Sequence, residues 1–236
     1  MIYKDSFIKL VEEYNVDNYI GTGNPNAKIL IVGKEGSCIP EKRRDGEVCF
    51  TQEWDKKIKN DEDINFKYKK DGLKEGHTWN KYQKLHDYIF PEYKKDGFFN
   101  FEERFFTTEM SAIRKKTTEE AQKDPKFEEK LKKRKESFFK SEFIQQFPVV
   151  ILACSNYIKN NDKVREIDNL FDVKFVEAFT CERKSKKYSF WTHDNADKTK
   201  LVIHTRQLSS DVPEELLEKM GKVINKFAEN NNIILL

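Results

Sequence analysis

Two side chains far apart in the chain stand where chemistry is easiest to build: Glu35 in residues 27–37 (AKILIVGKEGS) and His204 in residues 201–210 (LVIHTRQLSS). Each lies at the end of a short apolar run that breaks abruptly into small and polar residues. That is the pattern of a buried parallel strand delivering side chains to one edge of a sheet, and open α/β sheets bind ligands at that edge. A carboxylate held there can orient or deprotonate a water molecule, and a histidine can donate to developing negative charge. Glu35 also suits the plainer role of capping the following turn, and a lone His204 that of a satisfied structural residue. Gly33 and Gly36 let backbone approach a ligand and expose N–H groups toward an anion. Their spacing is neither that of a P-loop nor that of a dinucleotide-binding glycine motif.

After His204, Arg206 and the hydroxyls of Ser209 and Ser210 can hold phosphates. Upstream, residues 181–193 (CERKSKKYSFWTH) carry Arg183, Lys184, Lys186 and Lys187 ahead of Tyr188, Phe190, Trp191 and His193. A basic run leading into aromatics attracts phosphate and stacks bases. A buried strand or flap after a solvated loop accounts equally well for the same pattern.

The elements that must position these groups follow from periodicity. Phe7, Ile8, Val11 and Tyr14 predict a helix over 6–19, followed by a Gly-rich turn over 21–25 and a strand over 28–32. A long polar excursion over 36–76, marked by Gly36, Pro40, Gly46 and Gly72, reads as a functional loop or helical insertion. A helix over 78–90 with Thr78 as N-cap comes next, then a strand over 104–110. Residues 126–147 read as one long amphipathic helix closed by Pro148, followed by strands over 149–154, 173–179 and 201–204. A last helix covers 212–230, with Pro213 in its first turn. This alternation predicts a single α/β domain over 1–236, a three-layer α/β/α sandwich with a mainly parallel central sheet.

Hydrophobic residues make up 37% of the chain and charged residues 36%, with nineteen Phe, nine Tyr and three Trp supplying apolar volume for a packed core. The net charge of +3, from 44 basic and 41 acidic residues, permits a nucleic-acid partner without requiring one. No run approaches the roughly 18–20 apolar residues that cross a bilayer, and the N-terminus lacks the order of a secretory signal. A cytoplasmic location without a membrane partner is expected. Cys38, Cys49, Cys154 and Cys181 form no CxxC pair, so reduced thiols are expected, and neither a metal nor a cofactor. The Lys-rich stretch over 114–140 interleaves acidic residues and reads as a solvated helical face.

Taken together, the strand ends resemble the uracil-DNA glycosylase superfamily over residues 27–227. GKEGS resembles the family's water-positioning loop, with Glu35 in the acidic place. Phe50, in DGEVCFT, resembles the phenylalanine that stacks on the flipped base. FFTTEMS resembles the segment that reads the base edge, with Thr108 or Glu109 at the matching place. The run from Phe138 through FPVVILACSNYI looks like the helix, proline and strand segment that follows. HTRQLSS is similar to the HPSPLS motif, matching at His204, Leu208 and Ser209. Gly36 stands in place of the usual proline, Thr205, Arg206 and Gln207 replace Pro-Ser-Pro, and FFTTEMS carries no asparagine. A second alignment puts Arg206 in the histidine place.

The resemblance implies a uracil-DNA glycosylase-like fold and hydrolysis of the N-glycosidic bond of a flipped base in DNA, single-stranded or damaged. Glu35 and His204 would be catalytic, and Phe50, Thr108 and Glu109 would bind the base. Arg206, Leu208, Ser209, Lys184, Lys186 and Lys187 would contact DNA, with Leu208 as the wedge. A monomer is expected. The alternatives are a non-catalytic nucleic-acid-binding protein of the same fold and a hydrolase of a small nucleotide-like ligand.

Overall fold

Strand runs that are apolar on both sides must be covered on both sides, and this chain supplies two helical layers to do so. A computed structural model describes residues 2–14, 18–36, 48–62, 64, 66, 68–69, 77–113, 115, 117–209 and 211–236. Ser37, Cys38, Pro40, Gly46, Gly72 and Ser210 of the sequence reading lie outside the described residues. Among the described residues, seven strands form the main sheet: β1 (Thr22–Gly23), β2 (Ile29–Glu35), β3 (Phe105–Ser111), β4 (Val149–Leu152), β5 (Lys174–Arg183), β6 (Lys186–Asp194) and β7 (Leu201–Thr205). Their order is β1-β3-β2-β4-β7-β6-β5. The middle four, β3, β2, β4 and β7, run parallel, whereas β1, β6 and β5 join antiparallel. Tyr68–Lys69 and Phe98–Phe99 pair as a separate ribbon.

Alternation along each parallel strand sorts the core into two. Leu30, Val32, Phe106, Val150 and Leu152 face a layer built from α1 (Asp5–Glu13), α2 (Thr51–Lys59), α4 (Thr118–Gln122), α5 (Phe127–Glu136), α6 (Glu142–Gln145) and α7 (Glu166–Phe171). Ile29, Ile31, Phe105, Ile151 and Ile203 face α3 (Thr78–Ile89) and α8 (Glu214–Asn230). Helices on both faces of a sheet with a parallel centre make this an α/β fold of three layers.

Three expectations are corrected. The first helix ends at Glu13, because Tyr14 already has extended backbone. The N-cap of α3 is His77, whose ring accepts from the Trp79 N–H at 3.2 Å, and Thr78 lies inside the helix. Residues 126–147 do not form one helix but break into α5, a 3-10 turn at Phe138–Lys140 and α6. At about 100° per residue, Phe143, Ile144 and Phe147 would fall roughly opposite Phe127, Leu131 and Phe138 on a straight helix. All six are buried in one core, so the helix must break, and Ser141 caps the new start by accepting from Ile144 N–H.

Helix α8 packs its stripe of Leu217, Met220, Ile224 and Ala228 inward. Gly221 lets it approach α3: a Cβ there would sit 2.8 Å from Tyr88 Cβ and 3.3 Å from its backbone carbon. Gly221→Ala therefore sets a helix-propensity gain of about 1 kcal/mol against an overpacking cost of about 1–3 kcal/mol. The expected outcome is a net loss of stability on the order of 1 kcal/mol, read as a lower urea midpoint. An unchanged or higher midpoint would show slack between the two helices.

Candidate functional site

Among the parallel strands the order is second, first, third, fourth, so the chain leaves β2 toward one side for β3 and returns to its other side for β4. The crevice beyond the carboxyl ends at such a reversal is where open sheets take ligands. Register places Thr108, Val32, Leu152, His204 and Trp191 in one row across the sheet, with Glu35 further out beside Ser111. Both residues singled out first, Glu35 and His204, thus belong to one edge.

Glu35 closes β2. Its Oε1 accepts from Thr118 Oγ1, on α4, at 2.5 Å. Its Oε2 is buried and meets no hydrogen-bond geometry with any described residue. The hydroxyl of Tyr157 is in the same position, buried beside this carboxylate. Burial first, and the adjoining Glu35 second, push the pKa of the Tyr157 phenol far up, so it stays protonated. Lys34 Nζ lies 5.1 Å from the Tyr157 ring centroid.

On β3 the Glu109 carboxylate lies over Gly33, where a Cβ would meet Oε2 at 2.2 Å. Only the absence of a side chain at residue 33 allows this placement. Thr108 is buried, with its hydroxyl donating to Ile20 O at 2.6 Å and accepting from Arg134 Nη2 at 3.0 Å. Arg134 also donates to Glu109 O at 2.9 Å, and its guanidinium lies 3.8 Å from the Phe138 ring centroid. Burial lowers its pKa to about 10, still high enough to keep the charge at neutral pH. Thr108 is therefore a brace for this end of the sheet. Phe50 is half-buried and meets Tyr19 edge-on at 6.0 Å, and its N–H is held by Glu53 Oε2 at 3.0 Å.

The other half of the edge is a buried hydrogen-bond chain. Asp168 Oδ1 lies 2.8 Å from His193 Nδ1, and His193 Nε2 lies 3.3 Å from Asn160 Nδ2. The same amide nitrogen reaches His204 Nδ1 at 3.2 Å, and His204 Nε2 lies 2.9 Å from Ser155 O. Arg165 Nη1 donates to Asn160 Oδ1 at 3.2 Å, which fixes which end of the amide faces the histidines. The proton positions follow. The amide donates to His193 Nε2 and to His204 Nδ1, so His193 carries its proton on Nδ1 and His204 on Nε2. Both rings are neutral, and burial depresses both pKa values.

Above His204 lies a cavity of about 390 Å³ lined by Ser155, Asn156, Asn160, Trp191, His204 and Arg206, among others. Trp191 stacks on His204 with centroids 5.5 Å apart and planes 29° apart. Arg206 is half-exposed at the mouth, where Nη2 lies 3.3 Å from Asp211 Oδ1. The 3-10 turn Ser155–Tyr157 divides the edge: Tyr157 faces Glu35, and the Ser155 carbonyl holds His204.

The remaining expected site residues are placed as follows. Leu208 is fully buried in the core under α8. Ser209 is half-buried and accepts from Val212 N–H in the turn that leads to that helix. Lys184, Lys186 and Lys187 are exposed at the tip of the β5–β6 hairpin. Sequence reasoning passed over Thr118, Asn160 and Asp168 entirely. Trp191 and His193 did carry a signal, since two residues apart on a strand they share a face. Cys49, Cys154 and Cys181 are buried, and burial pushes the pKa of the Cys154 thiol up to about 12. Among the described residues there is no cluster of three or more His, Cys, Asp or Glu side chains placed to hold a metal, and no helix is long and apolar enough to cross a membrane. No family model, curated protein or solved structure matches the chain.

Because His193 and His204 bind protons less readily folded than unfolded, the unfolded chain takes up more protons as pH falls through about 6.5. Their contribution is present above that value and is lost as pH falls through the lower folded pKa values. The urea midpoint is expected to drop between pH 7.5 and 5, and His193→Gln is expected to flatten that drop. An equally steep drop in the variant would mean that His193 is not one of the groups responsible.

Proposed function

We propose that the protein is a divergent uracil-DNA glycosylase-like enzyme that hydrolyses the N-glycosidic bond of a flipped base in DNA. The observation that carries this reading is the presence, on one sheet edge, of a carboxylate with a buried oxygen and of a cavity lined in part by an aromatic ring. Glu35, steadied by Thr118, would orient a water molecule together with the Tyr157 hydroxyl and accept its proton. The water oxygen bonds to the anomeric carbon as the bond to the base nitrogen breaks, and the electron pair leaves with the base. Trp191 offers a stacking surface for the base. Arg206, at the mouth, is the group available to offset negative charge on the departing ring, since both His204 nitrogens are engaged within the fold. His204 in this reading shapes the wall beneath Trp191. The uracil-DNA glycosylase-like form of the fold is supported by the strands that carry four of the five resembling segments, β2, β3, β4 and β7, which run parallel toward one carboxyl edge.

One observation favours a second reading, a nucleic-acid-binding protein without chemistry: Thr108 and His204 are already satisfied internally, and Leu208 packs inside. An oligonucleotide panel bearing uracil and other deaminated, oxidised and alkylated bases separates the two. Release of at least one base is expected, and Glu35→Gln, which keeps an acceptor for Thr118, should slow it by about 10²-fold or more. Undiminished release in that variant, or binding with no release from any oligonucleotide, would refute the catalytic reading.

A further inference from the structure

The β5–β6 hairpin outruns the sheet. Strand β6 pairs with β7 only from Asp194↔Leu201 to Phe190↔Thr205, whereas its pairing with β5 continues to Arg183↔Lys186. Because β7 ends at the carboxyl edge, the hairpin continues past it as a two-stranded arm, packed into the core as far as Cys181 and Tyr188 and exposed over 182–187. At about 3.4 Å per residue, the four residues from Phe190 to Lys186 reach roughly 14 Å past Thr205. The arm overhangs the edge that holds the Trp191–His204 cavity.

Its tip is built against local preference. Lys184 and Ser185 make the turn with φ of 49° and 58°, where Gly or Asn is the usual choice. Arg183 and Lys186 stand directly opposite each other, a repulsive cross-strand pair. Residues 182–187 (ERKSKK) hold four cations against one carboxylate, and all six are exposed. Among the described residues no carboxylate lies within ion-pair distance of Arg183, Lys184, Lys186 or Lys187, and the one carboxylate of the tip, Glu182, stands across the ribbon from Lys187.

The root of the arm is firmly held. Cys181, Tyr188 and Phe190 are buried, and Phe179 stacks on Phe190 at 4.7 Å. Asp211 ties the arm to the cavity mouth, with Oδ2 accepting from the Tyr188 hydroxyl at 3.1 Å and Oδ1 lying 3.3 Å from Arg206 Nη2.

We infer that this arm is a clamp for the sugar–phosphate backbone of the DNA strand whose base enters the adjacent cavity. Unpaired cations crowded on a rigid ribbon are relieved by a polyanion, and phosphate beside a planar ring is the chemistry of a nucleotide. An acidic peptide would satisfy the cations but offers nothing to the Trp191 ring that lines the cavity. A membrane surface is disfavoured because no exposed apolar side chain stands at the tip. The inference shares with the reading above the premise that the edge takes a nucleotide, but it does not need base release.

The test uses the full chain and fluorescence anisotropy with labelled, undamaged single-stranded and duplex oligonucleotides over a range of salt. The combined variant Lys184→Ala, Lys186→Ala, Lys187→Ala is expected to bind at least about tenfold more weakly at low salt. The slope of log K against log salt should fall by about 2, at about 0.7 per phosphate contact on a single strand. Lys222→Ala with Lys226→Ala, on the outer face of α8, should change neither. Lys186→Glu is expected to weaken binding while raising the thermal midpoint, because it turns the opposed cations into an ion pair. Unchanged affinity and slope in the folded triple variant would overturn the inference, as would binding to polyglutamate or to phosphatidylserine vesicles in preference to DNA. Arm-dependent binding without base release would uphold the clamp and remove only the catalytic reading.

Discussion

The double burial of β2 governs this structure. Ile29 to Val32 are fully enclosed, with β3 hydrogen-bonded along one edge and β4 along the other. A strand in that position has no route to water except at its ends, and its backbone is satisfied only if both neighbours keep register. The two helical layers follow from the same requirement, since alternate side chains of one run must be buried on opposite faces. Polar residues are excluded from the middle of the sheet and collect at its carboxyl edge, where Glu35, Glu109 and His204 all emerge.

The edge is divided by the Ser155–Tyr157 turn into two parts with different electrostatics. On one side Glu35 and Glu109 place two carboxylates near the buried Tyr157 hydroxyl, which they help to hold in its neutral form. On the other, neutral histidines are locked in defined tautomers by one asparagine amide whose orientation Arg165 fixes. Such a network is fully connected, and a break at any member would leave a buried polar group without a partner. The histidine side is held by this hydrogen-bond chain, and the Glu35 side carries a buried carboxylate oxygen. The cationic hairpin extends the same edge outward, and Asp211 couples its root to the pocket mouth.

Much of the fold was legible in the sequence, because continuous apolar runs bounded by Gly, Pro and polar residues have few other solutions. The runs ILIV, VVIL and LVIHT announced themselves as parallel strands, and the stripe in α8 announced a helix. The break in residues 126–147 was less visible. It depends on two sets of apolar residues, each compatible with a helix, having to reach the same core from opposite sides. For the site, Glu35 and His204 could be assigned to strand ends from local sequence. Their positions relative to the turn between them could not.

The sequence by itself determined which residues are buried strand and which are strand end, since those depend on hydrophobic pattern over a few neighbours. Tertiary structure alone decided what the polar residues at those ends do. His204 could be read as a proton donor to a ligand until Asn160 and the Ser155 carbonyl, 44 and 49 residues away, were found to occupy both of its nitrogens. Leu208, expected as a wedge, lies in the buried core that α8 residues also line. Hydrogen bonds and burial of this kind join segments distant in the chain, and no local pattern encodes the partner that arrives.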